Sequence, residues 1–374
     1  MYFLIFYLIT GFTCSTLCGY ALTAFAAYPS WVNTAIYIGQ LVAWFLPILI
    51  WILQNKNILP PRILRISAQI SYFLFGFVFL LFAVVMLRDF VWYFAYFLMP
   101  KGLLPAPFEA TAARTANLLV LVFLLLMSAY GLYAAHKMPQ VLRYGYRDAR
   151  IKRPLKVLVI SDWHITRMIS PQSVARRVEF VNSLNPDVIL MPGDIADDAP
   201  DSIKAHLSAL RRLRAKEGIY YTLGNHEIYH NPFLWESIFA ALGWRVLHNS
   251  GVVLSDSGVY IGGVPDTGGF SANVSQSVKN AAKDTYRIVL SHQPSIVAQT
   301  KEEEVDLMVS GHTHGGQITP FNLISKLGNS GFTAGEYRTK NTMLLISRGI
   351  GYWGPPMRLG APSDVLLINL ETRR

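Results

Sequence analysis

Seven side chains with metal-binding chemistry fall at the ends of five short apolar runs in the second half of this 374-residue chain. Run 157–160 ends in Ser161-Asp162-Trp163-His164, and run 188–191 ends in Pro192-Gly193-Asp194. Run 218–223 leads into Gly224-Asn225-His226-Glu227, run 286–290 into Ser291-His292-Gln293, and run 305–309 into Gly311-His312-Thr313-His314-Gly315-Gly316. An Asp-x-His alternation on extended backbone can aim both side chains at one ion. Asp194 has two carboxylate oxygens and can bridge two cations, Asn225 offers a neutral oxygen, and His292, His312 and His314 add imidazoles. Nitrogen and oxygen donors without sulfur suit Mn²⁺, Fe, Zn²⁺ or Ni²⁺ better than a thiolate-selective metal, with Mn²⁺ the expected activator in vitro. Two such cations about 3.5–4 Å apart clamp a phosphoryl group and lower the pKa of a shared water. The reaction class that follows is in-line hydrolysis of a phosphoester or phosphoanhydride by that activated water, with no covalent enzyme intermediate.

The remaining histidines divide differently. His136, His206 and His248 join no run-end motif and read as structural, while His230, close to the Gly224–Glu227 turn, either lines the cleft or stands outside it.

The elements that must position these groups have the βαβ pattern, short apolar runs alternating with amphipathic helices over 171–184 and 201–213. Runs 251–255 and 259–264 form an antiparallel pair across Asp256-Ser257-Gly258, and 343–347 and 365–370 supply two closing strands. Ligand sites in open α/β sheets gather at the carboxyl ends of strands, and recurrence at five separate ends is stronger than any one of them.

The first 136 residues live in a different solvent. They hold six Lys/Arg and two Asp/Glu among long apolar runs, too few charges for the surface of a soluble domain. Four stretches, 3–26, 32–53, 70–87 and 117–135, approach the ~20 residues that a helix needs to cross a bilayer. An aromatic segment at 90–99, with Trp92, Tyr93 and Tyr96, suits the membrane interface. Cys14 and Cys18, four residues apart on one helix face, are read as small packing residues rather than a disulfide framework. Residues 137–156, with seven basic side chains against Asp148, read as a basic juxtamembrane linker, and 157–374, with twenty charges of each sign, as the soluble catalytic domain. The formal charge of +10 thus belongs to the membrane half and its flank. That distribution argues for anionic headgroups and against nucleic acid as a primary partner. Loops rich in Lys and Arg stay cytoplasmic; the 54–69 loop and the 137–156 flank are the basic ones, so the catalytic domain is expected on the cytoplasmic side of the inner or plasma membrane. No ionisable group lies well inside the four cores as delimited here, which favours an anchor over a transporter.

The blocks Asp-x-His, Gly-Asp-x-x-Asp, Gly-Asn-His-Glu, an isolated His and Gly-His-x-His occur in that order from Asp162 to His314, and they resemble the calcineurin-like metallophosphoesterase superfamily. The resemblance implies a four-layer α/β/β/α sandwich, here preceded by an all-α bundle of about four transmembrane helices. It implies a first metal held by Asp162, His164, Asp194 and His314, and a second held by Asp194, Asn225, His292 and His312. His226 matches the catalytic histidine that contacts the phosphate or protonates the leaving oxygen, and Asp197 the carboxylate that orients it. In the phosphoprotein phosphatase branch an Arg-Gly follows the second Asp, whereas here Asp197 is followed by Asp198, Ala199 and Pro200, so protein phosphatase activity is not expected. The extended Gly-His-Thr-His-Gly-Gly-Gln and Ser347-Arg348-Gly349-Ile350-Gly351 are similar to membrane-associated bacterial phosphodiesterases, a branch that includes UDP-diacylglucosamine pyrophosphatases. Arg348 faces the substrate or is an ordinary surface arginine. The expected function is therefore hydrolysis of a lipid-linked phosphodiester or pyrophosphate. A tethered phosphodiesterase of soluble nucleotides and a non-catalytic membrane scaffold or sensor are the alternatives. Nothing in the sequence points to an obligate protein partner.

Overall fold

The computed structural model describes residues 2–56, 58 and 60–373, and the chain divides into two units, 1–133 with 354–357 and 134–353 with 358–374. The first unit consists of four apolar helices, α1 (Tyr2–Thr23), α2 (Ser30–Asn55), α3 (Pro61–Leu98) and α4 (Ala110–His136), whose last turn belongs to the second unit. All four are long and apolar enough to cross a membrane. Small residues let them approach closely, as membrane helices require: a Cβ on Gly11 would lie 2.1 Å from the Trp44 ring, and one on Gly19 would lie 2.5 Å from Tyr37.

The third helix differs from expectation. Segments 70–87 and 90–99 belong to one 38-residue helix, roughly 57 Å long at 1.5 Å per residue, rather than a span followed by a separate interfacial segment. Arg88 and Asp89 interrupt the hydropathy without breaking the helix, because each finds a partner. They pair at 2.6 Å, and Arg88 also donates to Asn117 Oδ1 at 2.5 Å and Ala21 O at 3.2 Å.

The second unit holds two six-stranded sheets. The first runs β1 (Gln140–Asp148), β12 (Asp364–Thr372), β2 (Leu155–Val159), β3 (Val188–Pro192), β4 (Ile219–Thr222), β5 (Arg245–Val246). The second runs β10 (Gly335–Arg338), β11 (Met343–Ile346), β9 (Leu307–Ser310), β8 (Tyr286–Ser291), β7 (Val259–Val264), β6 (Ser250–Leu254). Strands β2 to β5 are parallel, as are β7, β8, β9 and β11. Side chains alternate across a strand, and here both faces are buried, so the strands read as continuous apolar runs. Val157, Val159, Val188 and Leu190 of the first sheet meet Ile288, Leu290, Leu307 and Val309 of the second in a shared core. Leu158, Ile189 and Met191 point the other way, onto α5 (Pro171–Ser183), α6 (Lys204–Leu210) and α8 (Pro232–Ala241). Val289, Met308 and Leu344 point onto α9 (Val274–Val278) and the Pro294–Gln299 turn. The result is the α/β/β/α sandwich.

Two local expectations change. Within 137–156, read as a linker, Gln140–Asp148 is an edge strand parallel to β12. Leu142, Tyr144 and Tyr146 pack on the shared core while Arg143 and Arg147 face outward, which is why the segment resembles a basic flank. Segment 201–213 is a 3₁₀ turn, Pro200–Ile203, followed by the shorter α6 rather than one helix.

Candidate metal centre

Each of the five ligand-bearing segments follows the carboxyl end of a strand, β2, β3, β4, β8 or β9, and all five meet at one edge of the paired sheets. The backbone there is unusual. Asp162, His164, Asp194, His312 and His314 have φ between 48° and 70°. Left-handed backbone costs a non-glycine residue of order 1–3 kcal/mol and persists only when its surroundings hold it. Asp162 N donates to Gly193 O, His164 N to Asp194 O, and His312 N to Asp162 Oδ1 at 2.9 Å, so each strained turn is pinned by its neighbour. Two motif glycines are demanded by space: a Cβ on Gly224 would lie 2.1 Å from Asp194 Oδ1, and one on Gly311 would lie 1.8 Å from Ser161 Oγ.

The side chains form two groups that share Asp194. In the first, His164 Nε2 and His314 Nε2 are 2.9 Å apart, Asp162 Oδ1 is 3.6 Å from His314 Nε2, and Asp194 Oδ2 is 3.7 Å from His164 Nε2. In the second, His292 Nε2 lies 3.1 Å from both Asp194 Oδ2 and Asn225 Oδ1, and His312 Nδ1 lies 3.1 Å from Asn225 Oδ1 and 3.2 Å from His292 Nε2. Nitrogen ligands about 2.0–2.1 Å from a tetrahedral ion stand roughly 3.4 Å from one another, and the close nitrogen pairs His164–His314 and His292–His312 fit imidazoles that share an ion. The outer contacts agree. His292 Nδ1 reaches Pro192 O at 2.8 Å, and Asn225 Nδ2 donates to Tyr229 Oη at 3.2 Å, which turns Nε2 and Oδ1 inward. Such outer partners orient ligands.

Electrostatics also favour cations. Burial, with His292 nearby, pushes His312 down to about 3, and burial, with His164 nearby, holds His314 well below its usual value. Both imidazoles are therefore neutral at pH 7, as metal ligation requires. Burial opposes ionisation of Asp194, but His292 and His226 outweigh it and hold the carboxyl well below the usual range. His292 lies at the other extreme: burial disfavours its charge, and the Asp194 carboxylate overcomes that.

His226 is the second residue of α7 (Asn225–Tyr229), with Nδ1 2.5 Å from Asp197 Oδ1 and Nε2 3.9 Å from Asp194 Oδ2. The second oxygen of Asp197 lies 3.4 Å from His164 Nδ1, so one carboxylate touches both a ligand-type imidazole and His226. Burial works against charge on both partners. Even so, Asp194 and Asp197 raise His226 to about 9, and His226 with His164 lowers Asp197 to about 2. Arg348 is held by Asp364, Nη1 to Oδ2 at 3.1 Å, and its Cγ is 3.1 Å from where a Cβ on Gly315 would sit. Asp198, in the position of the missing Arg-Gly, grips Arg167 at 2.6 and 2.7 Å.

The other histidines have structural contacts: His206 Nε2 to Ile169 O at 2.7 Å, His248 Nδ1 to Glu236 Oε1 at 2.9 Å, and the His136 ring 5.7 Å from that of Tyr352. His230 caps α7, its N–H reaching Glu227 O.

Two residues without a role in the sequence reading matter here. Glu227, fully buried, accepts from the N–H groups of Asp194, Ile195, Ala196 and Gly224 at 2.7–3.1 Å, tying the β3 and β4 loops together. Its place beside Asn225 and His226 was the available signal. Arg358, also buried, donates to the carbonyls of Gly351, Ala361 and Arg348 and shapes the loop after β11; nothing in its sequence context marks it.

Comparison with known proteins defines the class. The model of the calcineurin-like phosphoesterase family matches residues 155–316. The chain is 32% identical over 264 residues to an uncharacterized metallophosphoesterase of Helicobacter pylori, covering 68% of this chain and 70% of that one. It is 31% identical over 277 residues to an uncharacterized metallophosphoesterase of Campylobacter jejuni, covering 70% of this chain and 73% of that one. A Danio rerio protein named transmembrane protein with metallophosphoesterase domain is 27% identical over 281 residues, covering 70% of this chain and 64% of that one. The chain belongs to the calcineurin-like phosphoesterase family, a class of metal-dependent phosphoester hydrolases. Its four long apolar helices, and a relative named for its transmembrane character, associate it with a lipid bilayer.

Proposed function

We propose that this protein is a membrane-anchored phosphodiesterase or pyrophosphatase that cleaves a lipid-linked substrate at the cytoplasmic face of the membrane. The observation that carries the reading is the convergence of two ligand groups on Asp194 beside an oriented histidine. Asp162, His164, Asp194 and His314 would hold one divalent ion, and Asp194, Asn225, His292 and His312 the other. When bound, the ions polarise the phosphoryl group and supply the attacking water at reduced pKa. The chain's own residues do the rest. Asp197 fixes the His226 ring, leaving Nε2 to protonate the departing oxygen. Arg348, braced by Asp364, would meet a phosphate oxygen. Four apolar helices on the same chain favour a substrate that lives in the bilayer.

The purified full-length protein with Mn²⁺ is expected to hydrolyse bis-p-nitrophenyl phosphate, and Asp194→Ala to abolish that activity. Full activity in this variant would sink the proposed centre. A panel of detergent-solubilised UDP-diacylglucosamine beside cyclic and linear nucleotides reads the substrate class. The lipid-linked pyrophosphate should give the highest kcat/KM, and a clear preference for nucleotides would replace this reading with a tethered nucleotide phosphodiesterase.

A further inference from the structure

The catalytic unit carries an apolar helix that its own core does not use. α10 (Phe321–Gly328) follows directly on the Gly311–Gln317 metal loop, and none of its residues is buried. Leu323, Ile324 and Leu327 are 62%, 58% and 84% exposed. The helix is nevertheless fixed in place. A Cβ on Gly316 would lie 2.1 Å from Asn322 Cα, and Ser325 Oγ donates to Thr313 O at 3.3 Å. One side of α10 therefore rests on the metal loop, and the other presents branched aliphatic side chains to the surroundings.

Most of the unit's other exposed large hydrophobics follow strand ends at the same edge. Tyr229 and Phe233 follow β4, and Trp353 follows β11; among the described large hydrophobics after Tyr133, only Val253 is exposed away from these strand ends and the entry of β1. That entry is at the ligand edge too. Gln140 N donates to Ser363 O, Asp364 N to Gly349 O, and Gly351 N to Asp162 O. The apolar helix α4 ends at His136, and residues 137–139 of the chain lead from it into β1. Exposed apolar side chains gathered at one edge of a domain mark an interaction surface. The aromatic side chains Tyr229, Phe233 and Trp353 at that edge and the exposed Lys326 suit a headgroup interface with anionic lipid.

We propose that α10 is an interfacial helix that lies in the membrane surface, Leu323, Ile324 and Leu327 dipping among the acyl chains, so that the metal edge opens onto the leaflet. The occupant of this face is the lipid bilayer itself. Short amphipathic helices bind in this way through buried apolar area and attraction to anionic lipid. The inference rests on the lipid-substrate reading only for its purpose, since contact with the bilayer is measured without any substrate.

The test uses full-length protein in nanodiscs of phosphatidylcholine and phosphatidylglycerol, in a Cys14→Ser, Cys18→Ser background. A polarity-sensitive nitrobenzoxadiazole probe is placed at Leu327→Cys or, as a control at the opposite strand ends, at Lys283→Cys. The Leu327 probe should shift to the blue and be quenched by doxyl-labelled lipid, while the Lys283 probe should do neither. A water-like spectrum at Leu327, or a blue shift without lipid quenching (the signature of a protein partner), overturns the inference. The double variant Leu323→Glu, Leu327→Glu should lose about tenfold or more of its turnover of a bilayer-embedded phosphodiester, with bis-p-nitrophenyl phosphate hydrolysis unchanged. Equal loss on both substrates would make α10 a structural element and overturn it as well. If the probe reads lipid but no lipid-linked substrate is cleaved, the interfacial helix stands and the substrate proposal falls.

Discussion

At the scale of single residues, His226 and Asp197 can be separated because Asp197 has two neighbours. His226 touches Asp197 and faces the centre with Nε2, whereas Asp197 also lies 3.4 Å from His164 Nδ1. Replacing His226 with Ala removes the proposed proton donor and no ligand of the proposed ions. Turnover of a phosphodiester should fall about 10²–10³-fold, in the usual range for general acid–base catalysis, with two metals per chain still found by elemental analysis. Asp197→Asn should lower turnover too, and should also weaken metal binding because it loosens the His164 ring; unchanged affinity would assign Asp197 to His226 alone. These side chains were legible in the sequence because their chemistry and their place after apolar runs are both local properties. The strained φ values at Asp162, His164, Asp194, His312 and His314 were not, since they come from loop-to-loop hydrogen bonds. Arg358 was invisible for the same reason: its carbonyl partners come from a loop whose path no pattern specifies.

At the scale of elements, the centre depends on two loops keeping their spacing, and Glu227 of α7 joins them. Glu227→Gln keeps the volume but places an N–H₂ group where backbone N–H donors converge, leaving buried donors unpaired. Metal affinity should drop about 10–100-fold, the usual cost of losing a group that orients ligands, as read by titration with Mn²⁺; wild-type affinity would show that the loops hold without it. Edge strand β1 makes a different prediction. Asp148 ends it and pairs with Arg150, which reaches Asp306 at 2.6 Å before β9 and so links the two sheets. Hydrogen bonds from the Arg150 side chain, against some desolvation, hold Asp148 below its usual value. A carboxylate with a depressed folded pKa stabilises above its unfolded pKa of about 3.9, and that contribution is lost as pH falls through the folded value. For a partly exposed pair worth about 1 kcal/mol or less, Asp148→Asn should lower Tm by about 2–4 °C at pH 7, and the gap should close as the pH falls through the depressed folded value. A gap that persisted in acid would show that the ion pair is not its source. β1 escaped the sequence reading because Arg143 and Arg147 occupy its outward face. α3 was cut short because Arg88 and Asp89 look like a terminus until Asn117 is seen to receive them.

At the scale of the whole molecule, the open question is which compartment the catalytic unit faces, and charge decides the expectation. Lys56 follows α2, Arg62 and Arg65 lie in the first turns of α3, the 24–29 loop carries no basic residue, and residues 137–156 carry seven. With four crossings, the α2–α3 connection and the catalytic unit are expected on one side, and cytoplasmic segments are the ones enriched in Lys and Arg. The 99–109 loop, with Lys101 and Glu109, does not compete. Arg88 and Arg114 sit within α3 and α4, where Arg88 reaches Asn117 and Arg114 donates to Ala26 O and Ala27 O. Both side chains bind carbonyl or amide oxygens of the helical unit, and Asp89 offsets Arg88, so the α3–α4 connection carries less net positive charge than the other two basic segments. A green fluorescent protein fused after Arg374 should therefore fluoresce, a periplasmic-only alkaline phosphatase at the same position should stay inactive, and the phosphatase inserted after Ala27 should be active. The reverse pattern would turn the protein over and place its phosphoester substrate outside the cytoplasm, leaving the metal centre as described and the proposed compartment of its chemistry wrong.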